Sequence, residues 1–161
     1  MSKNLVLYFS VYGSAELVAR EIARQTGADI QRIVPAAAYD GDRANYNALA
    51  AYAKKEHDAD ARPEIKYKID LDGYDNIFIG YPMWWYTFPM IIYTLFDEYD
   101  FSGKTIIPFN THMGSGDGGT YKTIAQLEPN AKVLKGLPVE MSAAEHGCEK
   151  AVTKWLNSIN I

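Results

Sequence analysis

An apolar stretch followed at once by a helix-like segment recurs along this chain, and this alternation limits the possible folds most. Residues 4–10, NLVLYFS, form a largely apolar run of the kind that suits a strand buried on both faces. Residues 14–26 follow with apolar side chains at helical spacing, and Gly27 is a good helix stop. The chain therefore begins with a strand–helix unit.

The same order continues to the C-terminus. Further strands are predicted at residues 28–34, 75–81, 104–110 and 132–141, and further helices at residues 43–57, 88–99, 120–127 and 143–159. Pro108 is unusual for a central strand, so we expect the fourth strand to be near its end there. Five strand–helix units imply a parallel sheet with helices on both faces. Without a GxGxxG motif, the strand order 2-1-3-4-5 is favoured over a dinucleotide-binding order.

Composition narrows the class of protein. A chain of 161 residues suits a single domain, here taken as residues 1–161. The net charge of −4 argues against a nucleic-acid partner. A single cysteine, Cys148, excludes an intrachain disulfide and fits a cytoplasmic location. The absence of a secretory signal and of a long apolar run predicts no membrane span.

The loop after the first strand has the chemistry of an anion site. Residues 10–15 offer the hydroxyls of Ser10 and Ser14, the flexible Gly13 and the free N–H groups of a helix start. The loop contains no Lys or Arg and no Walker A lysine, which suits a bound monophosphate rather than a triphosphate. Alternatively, Ser14 is only an N-cap and Gly13 only a turn residue.

Two more loops follow predicted strands, where ligands bind in open α/β sheets. The loop GYPMWWYTFP could stack a planar aromatic ligand on Trp84, Trp85 or Tyr86, unless these rings only cover the sheet edge. The loop THMGSGDGG has four glycines in nine residues, so its backbone could approach a ligand closely. Alternatively, it is a mobile surface loop.

Together these loops resemble those of flavodoxins, and especially of short bacterial flavodoxin-like proteins with the motifs YFSxTGNT, GYPIWW and TSGGSG. This chain has YFSVYGSA, GYPMWW and NTHMGSG at matching places, and ARPEI at residues 61–65 is also similar. The resemblance covers nearly the whole chain. It implies an α/β, flavodoxin-like three-layer sandwich and FMN as the cofactor.

The resemblance also implies roles for individual residues. The FMN phosphate would be held by Ser10, Tyr12, Gly13, Ser14 and Ala15. The isoalloxazine ring would be lined by Pro82, Met83, Trp84 and Trp85. The pyrimidine edge of the ring would be contacted by Thr111, His112, Met113, Gly114 and Ser115. Tyr12 and Ala15 replace two small hydroxyl residues of the family, which predicts FMN affinity lower by about one to three powers of ten if both lost hydroxyls are uncompensated. Alternatively, the Tyr12 phenol substitutes from farther away or lies over the ribityl chain.

The predicted function is that of an FMN-binding electron-transfer flavoprotein, which exchanges electrons with redox protein partners or a small electron acceptor. The alternative is an FMN-dependent NAD(P)H:quinone-type oxidoreductase. A response-regulator role ranks last, since the first and third strands end in Ser10 and Tyr81 rather than in aspartate. No catalytic residue and no metal site are predicted.

Overall fold

The computed structural model describes residues 3–37 and 46–161. Its strands are β1 (Asn4–Tyr8), β2 (Asp29–Arg32), β3 (Asn76–Pro82), β4 (Thr105–His112), β5 (Lys132–Val133) and β6 (Leu137–Glu140). Its helices are α1 (Ser14–Thr26), α2 (Tyr46–Asp58), α3 (Met90–Glu98), α4 (Thr120–Leu127), α5 (Met141–His146) and α6 (Glu149–Ser158). None of the helices in these two segments is both long and apolar enough to cross a membrane.

The strands form a parallel sheet in the order β2-β1-β3-β4-β5, with β6 also paired to β4. Alternate residues of the central strands point to opposite faces, so the sheet divides the core into two clusters. On one face, Phe9 and Ile79 pack with Ile91 of α3 and Ile124 of α4. On the other, Phe78 and its neighbours pack with α1 and α6. The predicted three-layer α/β fold and strand order are confirmed.

The prediction of one fifth strand over residues 132–141 is wrong. The amide of Leu134 donates to the carbonyl of Ile106 at 3.0 Å, so Ile106 faces this edge of the sheet. The next β4 residue on that side is Pro108, which has no N–H to continue the ladder. Pairing resumes only at Leu137, and β4 itself runs past the proline to His112.

The single helix predicted over residues 143–159 is also wrong. The chain forms α5 and α6 instead, separated by Gly147, whose φ of 115° no helix accommodates. The helices predicted at residues 14–26 and 120–127 have the observed bounds. Of the helix predicted at residues 43–57, residues 43–45 lie outside the described residues, and Gly41, predicted to lie in a loop, does so too.

Candidate functional site

A pocket of about 720 Å³ lies at the carboxyl edge of the sheet, where the three predicted loops meet. The predicted residues that line it are Tyr12, Pro82, Met83, Trp84, Trp85, Thr111, His112, Met113 and Ser115. Parallel strands place all their carboxyl ends at one edge, which is why loops distant in sequence converge here. Ser10, Gly13, Ser14, Ala15 and Gly114 are near in sequence to the lining residues but do not line the pocket.

The serine hydroxyls of the first loop are used inside the protein. The Oγ of the buried Ser10 accepts a hydrogen bond from the Gly13 amide at 3.0 Å. The Oγ of the buried Ser14 donates to the Oγ1 of Thr111 at 3.1 Å and so ties the first loop to the end of β4. Gly13, not Ser14, is the N-cap of α1, with φ of 97° and no side-chain cap. The alternative reading of Ser14 as only an N-cap is therefore wrong.

Tyr12 connects the first loop to α2. Its ring stacks on Tyr46 with the ring centroids 6.0 Å apart and an interplanar angle of 25°. Tyr46 and three further residues of α2, Leu49, Ala50 and Ala53, also line the pocket. The α2 wall of the pocket was not predicted from the sequence, because nothing in an alanine-rich helix indicates which site the helix will cover.

The aromatic loop turns sharply between Trp84 and Thr87. Their backbones exchange two hydrogen bonds of 2.8 and 3.1 Å, and the two residues between them, Trp85 and Tyr86, have φ of 50° and 65°. Two such residues define a type I′ turn, which usually contains Gly, Asn or Asp. Each left-handed residue with a large side chain costs roughly 1–2 kcal/mol, so the chain maintains strain at this place.

The three adjacent rings of this loop have different environments. Trp84 packs edge-on against Phe9 of the core, with centroids 5.4 Å apart and an interplanar angle of 85°. Trp85, 40% exposed, donates from Nε1 to the carbonyl of Ala50 at 3.0 Å. The ammonium of Lys54 lies 5.4 Å from the Trp85 ring centroid. Tyr86 is 85% exposed at the tip of the turn.

The third loop is held by a hydrogen bond within itself and by packing against the second loop. His112 accepts a hydrogen bond at Nδ1 from the Gly114 amide at 3.0 Å, which leaves its proton on Nε2. Met113 is 80% exposed. The terminal methyl of Met83 packs against Gly118, where an added Cβ would lie only 2.5 Å from it. The second and third loops therefore pack directly on each other.

A cation lies beside the first loop although the loop contains none. Arg32 donates from Nη2 to the Ser10 carbonyl at 2.5 Å, and its Nη1 lies 3.9 Å from the Oε1 of Glu16. Sequence reasoning missed Arg32, although the predicted order 2-1-3 places the end of the second strand beside the first loop. The guanidinium lies near the start of α1, where the helix dipole favours anions, and the Glu16 carboxylate of the first turn offsets part of its charge.

The comparisons with known proteins agree with the fold. A family model described as flavodoxin matches residues 3–159. A candidate flavoprotein of known structure from Bacteroides eggerthii is 32% identical over 100% of this chain and 99% of that one, with a TM-score of 0.86.

Two more distant structures share the fold. A flavoprotein in complex with FMN from Lactobacillus acidophilus is 22% identical over 91% of this chain and 98% of that one, with a TM-score of 0.71. An oxidised flavodoxin 2 from Bacillus cereus is 16% identical over 98% of this chain and 99% of that one, with a TM-score of 0.56. The comparison with curated proteins found no significant match.

Proposed function

This chain belongs to the flavodoxin family, and we propose that it binds FMN in the pocket and carries electrons between redox partners. The observation that carries the proposal is the convergence of three chemically distinct loops on one pocket of about 720 Å³. One loop starts a helix, one is aromatic and one is rich in glycine, which suits the phosphate, the ring and the ring edge of one flavin.

The donor set at the start of α1 fits a phosphate. Gly13 provides no side-chain cap, so the amide groups of the first turn remain available to an anion. Ser10, Tyr12, Gly13, Ser14 and Ala15 would hold the phosphate, mainly through backbone amides other than that of Gly13, which already donates to the Ser10 Oγ. The Ser10 hydroxyl only accepts in that bond and keeps its own proton to donate. The Ser14 hydroxyl donates to Thr111 instead. This use of one hydroxyl donor, added to the replacements at Tyr12 and Ala15, supports the prediction of weakened FMN binding.

The rest of the pocket fits a planar ring. Pro82, Met83, Trp84 and Trp85 would form one wall, and aromatic faces favour stacking by about 0.5–1.5 kcal/mol beyond area burial. The other predicted contacts, Thr111, His112, Met113, Gly114 and Ser115, would lie along the ring edge. FMN, when bound, supplies the redox chemistry. The protein binds the ring, orients it and limits its contact with water.

Exposed side chains at the pocket favour exchange with a protein partner. Tyr86 and Met113, 85% and 80% exposed, both line the pocket and face solvent, where another protein could cover them.

A second candidate function is FMN-dependent NAD(P)H:quinone reduction. It is favoured by the apolar wall of Leu49, Ala50 and Ala53, against which a small aromatic acceptor could lie. A cytoplasmic location remains a prediction from the single cysteine.

Titration of the purified protein with FMN tests the cofactor. We expect saturable binding, quenched tryptophan fluorescence and a protein-bound flavin spectrum, since Trp84 and Trp85 line the pocket. Riboflavin is the matched ligand, because it lacks only the phosphate. Unchanged fluorescence at high FMN concentration would overturn the proposal. Oxidation of NAD(P)H by the loaded protein with a quinone would favour the reductase, and its absence the carrier.

A further inference from the structure

A buried polar pair lies beneath the glycine-rich loop. Asn110, near the end of β4, has no exposed surface. Its Nδ2 donates to the Gly116 carbonyl at 3.0 Å. Its Oδ1 accepts a hydrogen bond from the hydroxyl of Tyr121, in the first turn of α4. The Asn110 side chain therefore joins the middle of the loop to a rigid strand and, through Tyr121, to a helix.

The loop itself has little intrinsic preference for one conformation. Gly114, Gly116, Gly118 and Gly119 all have positive φ, and glycine at such positions loses more backbone entropy on folding than any other residue. Met113 and Ser115 at its start are exposed. The bond from Asn110 to Gly116 thus contributes strongly to the choice of one loop conformation.

Tyr121 is accommodated by a further feature of the fold. Its ring packs on Gly136, where an added Cβ would lie 2.4 Å from a ring carbon. Gly136 lies in the gap between β5 and β6 that Pro108 creates. Burial raises the pKa of the Tyr121 hydroxyl, so the group stays protonated and remains a hydrogen-bond donor. The donor orients the Asn110 amide, because only Oδ1 can accept from it.

We propose that Tyr121 is a positioning residue of the flavin site, which acts through Asn110 and the Gly116 carbonyl to hold the glycine-rich loop in its binding conformation. This inference rests on the proposed FMN function. Tyr121 does not line the pocket, so its effect on a ligand has to pass through the loop. The loop carries His112, Met113 and Ser115 to the pocket wall.

The test compares Tyr121→Phe with the matched variant Tyr99→Phe. The hydroxyl of Tyr99 also takes part in an internal hydrogen bond, which it accepts from the Ile69 amide at 3.1 Å. Tyr99 follows the C-terminus of α3 and does not line the pocket. We expect Tyr121→Phe to weaken binding of FMN and riboflavin alike by about tenfold, the effect of one lost buried hydrogen bond. Tyr99→Phe should leave both affinities unchanged.

Hydrogen exchange of the ligand-free protein separates this inference from the proposed function. We expect Tyr121→Phe to speed amide exchange in residues 113–119 and Tyr99→Phe to leave these amides as in the wild type. Equal flavin affinities of Tyr121→Phe and wild type, or unchanged loop exchange, would overturn the inference. A wild-type protein that binds no FMN would instead refute the proposed function, and loop exchange would still test the role of Tyr121.

Discussion

Replacement of Tyr86 by glycine should stabilise the protein. Tyr86 has φ of 65° and is 85% exposed, so its ring makes few contacts that the variant would lose. Relief of the left-handed strain is worth roughly 1–2 kcal/mol. The greater entropy of glycine in the unfolded chain offsets about 0.4–1 kcal/mol of this gain. The net expectation is about 0.5–1 kcal/mol of added stability.

Urea unfolding is the direct assay. We expect a higher midpoint with an unchanged m-value, because the area exposed on unfolding barely changes. The melting temperature should rise by about 1–4 °C for a domain of this size. Tyr67→Gly is the matched control, since Tyr67 is 55% exposed but has no positive φ. It should lose about 0.4–1 kcal/mol, the entropy cost of glycine alone.

Equal destabilisation by Tyr86→Gly and Tyr67→Gly would refute the reasoning, because it would mean that no strain is relieved in the turn. The FMN affinity of the Tyr86→Gly variant then shows whether the strained turn serves flavin binding. A stabilised variant with weaker flavin binding would assign the Tyr86 side chain to the site.

Three more predictions concern other parts of the molecule. Gly80→Ala should lower the free energy of unfolding by about 1–3 kcal/mol in a urea titration, because the new Cβ would lie 2.0 Å from the Phe109 ring. Trp85→Phe removes the N–H that binds the Ala50 carbonyl, so amide exchange in α2 should become faster while that in α6 stays as in the wild type. Equal α2 exchange rates in the variant and the wild type would contradict the role of this bond. Burial raises the pKa of Tyr81, so its neutral form is favoured in the folded state. The stability that the protonated Tyr81 hydroxyl contributes should be complete below about pH 10 and be lost as pH rises further. Denaturant titrations in alkaline buffers would reveal this loss as a falling midpoint.

Most of the fold could be predicted because its signals are local. The apolar run of β1, the helical spacing of α1 and the αL glycine at residue 27 each lie within one segment, and the observed element matches each prediction. The break between β5 and β6 could not be predicted in the same way. It depends on which edge of the sheet Pro108 faces, and this is known only once the strands are paired.

Within the candidate site, the chain by itself determined which chemical groups follow each strand: hydroxyls and a glycine, then aromatic rings, then a flexible glycine-rich loop. The parallel sheet then brings these loops to one edge. Only the tertiary structure decided which partner each group has. Ser14 bonds to Thr111, 97 positions away, and Trp85 to the carbonyl of Ala50, 35 positions away. Such contacts depend on how helices and loops pack across the sheet, and no periodicity within one segment encodes that packing.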